Sequence, residues 1–269
     1  MRDKVALAGF VLIVVIVAAA GAAPWIAPQD PRAQDVMETL RPPSRLHILG
    51  TDDFGRDTLS RVIWGARPSL LVGVASVAAA MAVGMTGGVT AGYHGGAYDL
   101  VVMRLADGLL AFPSLLLGLL VVAILGPGLE NTIIAVALSL VPQFARLARA
   151  ATIAVRETAY VEWCHSSGAT RVRILVRHIV PNTVGPIVVM GTLWISTAIR
   201  TEASLSFLGL GIQPPTPSWG TMIKAGVDQI GLSPWLAIFP GLAIMLSVFA
   251  FNMVGDGLRD VLDPKSRGR

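Results

Sequence analysis

The 269-residue chain has little charge and almost no cysteine. Asp, Glu, Lys and Arg make up 14% of its residues against 54% hydrophobic residues, and the mean hydropathy is +0.66. Because a soluble domain carries about 25% charged residues, this composition indicates a protein whose solvent is the lipid bilayer. The one cysteine, Cys164, excludes an internal disulfide and any zinc site built on two or four cysteines.

The sequence also lacks the motifs of nucleotide hydrolysis and of common catalytic sites. It contains no G-x-x-x-x-G-K-[ST] phosphate loop, no G-x-S-x-G and no His-Glu-x-x-His. Its four histidines are scattered, and the net charge of +4 is too small and too dispersed to indicate nucleic-acid binding. We therefore predict a non-catalytic chain with no catalytic residue, no metal site and no cofactor of its own.

Long uncharged runs predict an all-α membrane protein of about six transmembrane helices, because a helix needs about 20 apolar residues to cross the bilayer. Five runs are clear, and a sixth ends at Arg146 and Arg149, whose long side chains we expect to reach the interface. The first run also resembles a cleavable signal peptide, but it exceeds the usual length of about 7 to 15 residues. The six runs are 5–23, 68–92, 108–126, 131–145, 181–199 and 229–255.

The distribution of basic residues predicts the orientation. With the N-terminus inside, 13 of the 21 Lys and Arg residues fall on the cytoplasmic side and seven on the outer side. Both termini are therefore expected in the cytoplasm. Four tryptophans near predicted outer ends fit this orientation, since amphipathic rings favour the membrane interface; they are Trp25, Trp64, Trp219 and Trp235.

We divide the chain into three parts. Residues 1–67 are the first helix and a long outer loop, residues 68–264 are a core of five transmembrane helices, and residues 265–269 are a cytoplasmic tail. Among the few charges near the spans, we expect Arg104 and Asp107 to form a local ion pair, because they stand three residues apart. Arg200 and Glu202 either face a transport pathway or mark the outer end of the fifth span.

The cytoplasmic loop 154–181 is the most informative connection. Val172, Val176 and Ile179 lie on one helical face with Leu175, while Arg173 and Arg177 occupy another face. This pattern predicts a short basic amphipathic helix on the membrane surface. An upstream helix is expected over 156–167, with Gly168 at the joint. The loop is either an interfacial anchor or a helical projection that docks on a soluble partner.

Two outer segments are polar or rich in proline. The run 50–57 reads Gly-Thr-Asp-Asp-Phe-Gly-Arg-Asp, which is typical of a surface turn closed by aspartate side chains. Residues 209–220 contain three prolines and cannot continue a helix. This second segment is expected to fold back into an outer vestibule, covered by protein or water.

These segments carry a family resemblance. Glu162, then Gly168 six positions later and Pro181 thirteen beyond it, resemble the Glu-Ala-Ala loop of ATP-binding-cassette importer permeases, although Trp163 and Cys164 replace the two alanines. Segments 50–57, 91–96, 207–220 and 255–264 resemble the second permease subunit of the dipeptide, oligopeptide and nickel importer group (dipeptide-permease C-like). These segments are spread from Gly50 to Pro264, nearly the whole length of the chain, and follow the family's order.

The resemblance implies a subunit of a prokaryotic plasma-membrane importer. Its partners would be a second homologous permease, two cytoplasmic ATPases that bind ATP and Mg²⁺, an extracytoplasmic binding protein that delivers peptides, and lipid. Nickel, another metal chelate or another small solute is the alternative cargo, and a self-contained channel or secondary transporter is a remote alternative.

The resemblance also assigns candidate site residues, in three groups. Coupling to the ATPase falls to Tyr160, Val161, Glu162, Ser166, Gly168, Ala169, Arg173 and Pro181. Contact with the binding protein falls to Gly50, Thr51, Asp52, Gly55, Arg56, Asp57, Pro214, Pro215 and Trp219. Arg200 and Glu202 are the candidates for the pathway.

Overall fold

The computed structural model describes residues 2–262, and in that range the chain consists of helices and loops. The predicted tail 265–269 lies outside the described residues. A 3₁₀ turn covers Val36–Glu38 and a π turn covers Leu175–Ile179. The α-helices are α1 Arg2–Gly21, α2 Ala23–Ile26, α3 Thr58–His94, α4 Gly96–Leu110, α5 Ser114–Leu125, α6 Leu129–Arg156, α7 Ala159–Ser166, α8 Arg171–Ile174, α9 Val180–Phe207, α10 Trp219–Asp228 and α11 Trp235–Leu262.

The prediction of an all-α protein with about six crossings is confirmed. Five helical stretches are long and apolar enough to cross a membrane: Lys4–Gly21, Thr58–His94, Leu129–Arg156, Arg171–Phe207 and Trp235–Val261. The sixth crossing is the pair α4 and α5, which meet at an angle of 91°. The single helix predicted over 108–126 is therefore wrong. The helix is interrupted before Pro113, and α5 alone extends only about 18 Å.

The hydrophobic core lies between α3, α6 and α9. Val72 and Ala80 of α3 pack in one cluster with Phe144 of α6 and Ile187 of α9, and all four are fully buried. The ring of Phe144 meets Trp194 edge-on, with 4.3 Å between ring centroids. Apolar side chains thus hold together the three helices that reach from the inner to the outer end of the bundle.

Three glycines allow the backbone of α3 to touch α6. Gly84, Gly88 and Gly92 recur every four residues and so share one helix face. A Cβ atom added to Gly88 would overlap the carbonyl group of Ala145, and the other two positions are equally close to α6. Small residues at this spacing are typical of closely packed membrane helices.

The first helix lies at the edge of the bundle against α11. Only 11% of its apolar 18-residue window is buried by protein, so most of its surface faces lipid. Its last turn is held by Arg67 of α3, whose guanidinium donates to the carbonyl oxygens of Ala20 and Gly21 at 2.5 and 2.8 Å. A cation at a helix C-terminus also stabilises the helix dipole.

Candidate functional site

At the end of the bundle that the charge distribution predicts to be cytoplasmic, here called the inner end, α7 forms a short projection with one open face. Val161 and Cys164 point into the bundle, whereas Glu162, Trp163 and Ser166 are exposed. Trp163 has 69% of its surface exposed. An apolar ring of this size is typical of a protein–protein contact when it is open on a charged, helical projection. The predicted helix over 156–167 is thus present from Ala159, after a break at residues 157–158.

Gly168 ends this helix. It adopts φ +78°, in the left-handed region that favours glycine. Its N–H donates to the carbonyl oxygen of His165 at 3.1 Å, and the N–H of Ala169 donates to that of Cys164 at 3.1 Å. These two bonds form a Schellman motif, which satisfies the last carbonyl groups of α7 and reverses the chain.

The projection is tied to α3 and α6. The Arg156 guanidinium donates to the carbonyl oxygens of Gly92 and Tyr93, at 3.0 and 3.1 Å, where α3 ends. The rings of Tyr93 and His165 are stacked 6.4 Å apart. A displacement of α7 is therefore passed directly to the inner end of α3.

A second tie joins the projection to α9 through Pro181. This proline lacks an N–H and crowds the preceding turn, and the backbone forms the π turn Leu175–Ile179 just before it. The carbonyl oxygen of His178 accepts side-chain hydrogen bonds from Tyr160 at 3.2 Å and from Asn182 at 2.6 Å. Tyr160, a predicted coupling residue, is thus bonded to the turn that contains Pro181.

The amphipathic surface helix predicted after Gly168 is not separate. Residues Arg171–Phe207 form one continuous helical stretch, so the fifth crossing starts ten residues before Pro181. Of the predicted apolar face, Val172 and Val176 are 71% and 61% exposed, whereas Ile179 is buried in the protein, as is Ile174. The face therefore divides between the protein core and the open surface of the stretch.

Two arginines of α6 pair with α4 rather than with lipid or water. Both nitrogens of the Arg149 fork donate to the carboxylate of Asp99 at 2.6 Å. Arg146 donates to Asp107 at 2.6 Å. The predicted local pair of Arg104 with Asp107 is therefore replaced by a pair between helices, and Arg146 and Arg149 hold the inner helix α4 in place.

At the outer end, residues 50–57 form a buried turn centred on Asp52. Its carboxylate accepts hydrogen bonds from the N–H groups of Phe54 and Arg56 at 2.9 and 3.0 Å, and from the Arg56 guanidinium at 2.7 Å. Arg61 of α3 lies 3.3 Å from the same carboxylate. The predicted aspartate-closed turn is present, but it is inside the protein rather than on its surface.

Asp57 completes this turn and starts α3. Its carboxylate accepts from the N–H of Ser60 at 2.8 Å, as the N-cap of α3, and its other oxygen lies 3.0 Å from His47. Both side chains are buried. The turn therefore fixes the outer loop on the membrane-spanning core.

Burial divides the predicted contacts with the binding protein. In the structure, Gly50, Thr51, Asp52, Gly55, Arg56, Asp57 and Trp219 are buried, so their side chains stabilise the outer end rather than present a surface. Pro214 and Pro215 are exposed, and so is Phe54, with 48% of its surface. Sequence reasoning missed Phe54, although an aromatic ring inside a polar turn is a usable signal.

Trp219 fixes α10 to α3. The indole Nε1–H donates to the carbonyl oxygen of Val62 at 3.0 Å, and the Trp219 N–H lies 3.4 Å from the hydroxyl of Ser69. Ser218 and Thr221 cap the start of α10 reciprocally. The ring is 1% exposed, so it packs inside the protein rather than against lipid.

Arg200 and Glu202 have different surroundings. Glu202 is fully buried; its Oε1 accepts from the Ser206 hydroxyl at 2.7 Å, and that hydroxyl accepts from the N–H of Ile212 at 3.2 Å. Glu202 thus anchors the turn after α9 and lines no open passage in this structure. Arg200 is exposed, with its guanidinium 3.3 Å from the Thr197 hydroxyl.

A cavity of 660 Å³ opens at this outer end, between the 50–57 turn, residues 209–216 and α10. Charged side chains from the turn and from α10 line it, and so do Pro214 and Pro215. Burial and the neighbouring Asp52 raise the pKa of the Asp53 carboxyl group in its wall above the usual value. The sequence suggested an outer vestibule here, but not which parts of the chain enclose it.

Most of the chain matches known families. Residues 84–268 match the family described as the binding-protein-dependent transport system inner membrane component. Residues 1–43 match the N-terminal transmembrane domain of oligopeptide transport permease C. The first match covers α6, α7, α9 and α10, so it includes the projection and the α10 side of the outer cavity, whereas the 50–57 turn lies outside both matches.

Named relatives resemble the whole chain. The di/tripeptide transport system permease protein DppC of Pseudomonas aeruginosa (strain UCBPP-PA14) is 47% identical, over 98% of this chain and 89% of the relative. A dipeptide permease DppC of Alkalihalophilus pseudofirmus is 44% identical, over 99% and 88%. The glutathione permease GsiD of Escherichia coli O157:H7 is 46% identical, over 99% and 88%. The chain therefore belongs to the family of inner-membrane components of binding-protein-dependent transport systems.

Proposed function

We propose that this permease forms half of the translocation pathway of an ATP-driven importer for short peptides. The observation that carries the proposal is the exposed projection α7, which contacts α3 through the stacked rings of His165 and Tyr93 and is tied to the start of the fifth crossing by Tyr160, in a chain without a phosphate loop. Relatives named for dipeptides, di/tripeptides and glutathione support a peptide of two or three residues as cargo.

The proposed assembly supplies what this chain lacks. A second homologous permease completes the pathway, two cytoplasmic ATPases bind ATP and Mg²⁺, and an extracytoplasmic binding protein delivers the cargo. Shifting a gate from 1:99 to 99:1 needs about 5.5 kcal/mol of differential binding. ATP binding on the partner subunits would supply this energy and displace α7.

The orientation follows from the same assignment. The projection must face the ATPases, so both chain termini lie in the cytoplasm and the 50–57 turn faces the binding protein. Pro214, Pro215 and Phe54 form the exposed part of that outer face. Glu162, Ser166 and Gly168, with Ala169 and Arg173, form the part that docks on the ATPase.

Uptake by the reconstituted complex tests this function. We expect proteoliposomes that hold both permeases and both ATPases to accumulate a labelled dipeptide only when ATP-Mg²⁺ and loaded binding protein are present on their proper sides. A complex in which each ATPase lacks its catalytic carboxylate is the matched control and should accumulate none. Uptake by this chain alone, without nucleotide, would instead establish a self-contained channel or secondary transporter.

A further inference from the structure

The outer cavity has the dimensions of a site for a small ligand. Its volume is 660 Å³, within the range of about 300 to 1,000 Å³ of ligand pockets. Three separate parts of the chain enclose it: the 50–57 turn, the loop that follows α9, and α10. The loop is held from below by the hydroxyl of Ser206, so the floor of the cavity is fixed.

Two side chains of opposite charge in this cavity have no partner among the described residues. Lys224 and Asp228 both belong to α10 and line the cavity. Among residues 2–262, neither side chain forms an ion pair or a hydrogen bond. The Lys224 ammonium lies beside Gly209, and a Cβ atom added to that glycine would be 2.9 Å from the Lys224 Nζ.

The other cations of the cavity are already neutralised. Arg56 and Arg61 line it as well, but their guanidinium groups lie 2.7 and 3.3 Å from the carboxylate of Asp52. Asp53 is the second carboxylate of this group, because its Oδ1 lies 3.5 Å from the Arg56 guanidinium. Among the described residues that line the cavity, Lys224 is thus the cation, and Asp228 the carboxylate, with capacity for a ligand.

The spacing of the two free charges matches a short peptide. Four residues of helix separate Lys224 from Asp228, which places their backbone positions about 6 Å apart along the axis. An extended dipeptide spans about 7 Å between its ends. A dipeptide that lies along α10 has the length to place one terminus near each of these residues, while Pro214 and Pro215 border the space for its side chains.

We propose that this cavity is a binding site for zwitterionic short peptides on the permease itself, in which Lys224 binds the C-terminal carboxylate and Asp228 the N-terminal ammonium. The inference rests on the proposed function, because it assumes that the assembly carries peptides. It adds a recognition step by the permease, after the peptide leaves the binding protein.

Protection of a cavity thiol tests the site without the binding protein. The assembled four-subunit complex would carry Cys164→Ser together with Ala225→Cys, a half-buried residue that lines the cavity. The rate of maleimide labelling would be measured with alanyl-alanine, its N-acetyl derivative and its C-terminal amide. We expect the free dipeptide to slow labelling at least about fivefold, and each blocked peptide to bind about tenfold more weakly, because one charged contact is lost.

Substitutions identify which residue binds which end. Lys224→Gln should abolish the difference between the free dipeptide and its amide, and Asp228→Asn the difference between the free dipeptide and its N-acetyl form. Arg45→Gln and Glu130→Gln, both at exposed outer residues away from the cavity, are the matched controls and should change neither. If Ala225→Cys does not assemble, Gln213→Cys provides a second thiol in the same cavity.

The outcomes separate this inference from the proposed function. Equal labelling rates with and without dipeptide, or equal protection by all three peptides, would overturn the peptide site. ATP-driven uptake in the same preparation reports on the function independently. Uptake without protection refutes the site alone, whereas a complex that takes up no peptide refutes the function.

Discussion

At the scale of single residues, Gly168 sets the direction in which the chain leaves α7. Its φ of +78° costs an L-residue roughly 1–2 kcal/mol, although no atom lies within 4 Å of an added Cβ. The constraint on this position is therefore conformational, and a side chain would strain the turn without a clash.

We predict a graded loss of coupling at Gly168. Gly168→Ala should reduce peptide-driven ATP turnover several-fold, and Gly168→Pro should abolish it, because proline is fixed near φ −65°. Both variants should insert and assemble normally, as measured by purification of the complex. Gly185→Ala is the matched control, since Gly185 has equal space but lies within regular helix α9; normal uptake by Gly168→Pro would contradict the role of this turn.

The pairing of α6 with α4 predicts a second residue-scale effect. Arg149→Lys keeps the charge but loses the two-pronged contact with Asp99, so we expect the complex to lose about 0.5–1 kcal/mol of stability, seen as a lower unfolding temperature. Arg146→Lys should have a smaller effect, because that pair has a single bond and more exposed side chains. Equal shifts in both variants would count against the two-pronged contact.

At the scale of helices, close packing of α3 on α6 depends on the absence of side chains. We predict that Gly88→Ala separates the two helices and destabilises the complex by about 1–3 kcal/mol, the usual range for overpacking. Gly87→Ala lies on the same helix and meets only Val102, at 3.8 Å, so it should be tolerated. Thermal unfolding of both variants in detergent checks the difference, and an unchanged Gly88→Ala complex would refute the contact.

The elements were predictable where the signal is local. Uncharged runs located five crossings, because bilayer thickness alone sets their length. The runs failed at the bend near Pro113 and at the start of the fifth crossing, where Arg171, Arg173 and Arg177 extend the helix beyond the apolar run. The glycine contact between α3 and α6 and the pairing of Asp107 with Arg146 depend on a neighbouring helix, which no local pattern specifies.

At the scale of the whole molecule, the two candidate sites lie at opposite ends of the bundle. The motif from Glu162 to Pro181 marked the inner site in the sequence, and the structure shows that Tyr160 bonds to His178 and Asn182, on either side of Pro181. The outer site was only partly predictable. The motif residues of 50–57 are buried supports, whereas Lys224 and Asp228 come from α10 and gain meaning only when the loops enclose a cavity.

Cross-linking tests whether the ATPase docks on α7. A cysteine at exposed Ser166, and a second at exposed Ala159, should cross-link to the ATPase in the assembled complex. Cys164 lies on the buried side of the same helix, with 8% of its surface exposed, and is an internal negative control. Failure of both cysteines to cross-link in a complex that hydrolyses ATP would overturn the assignment of α7.

The continuous helical stretch Arg171–Phe207 connects the proposed ATPase-docking end with the outer cavity. Its 37 residues extend about 55 Å, from the partner-facing arginines to the floor beneath the outer cavity. Because one helical stretch joins the two ends, a ligand that holds its outer end in place is expected to restrict movement of its inner end. We therefore expect an inhibitor bound in the outer cavity to slow ATP hydrolysis by the ATPase subunits on the cytoplasmic side. A drug against this importer would then not need to enter the cell.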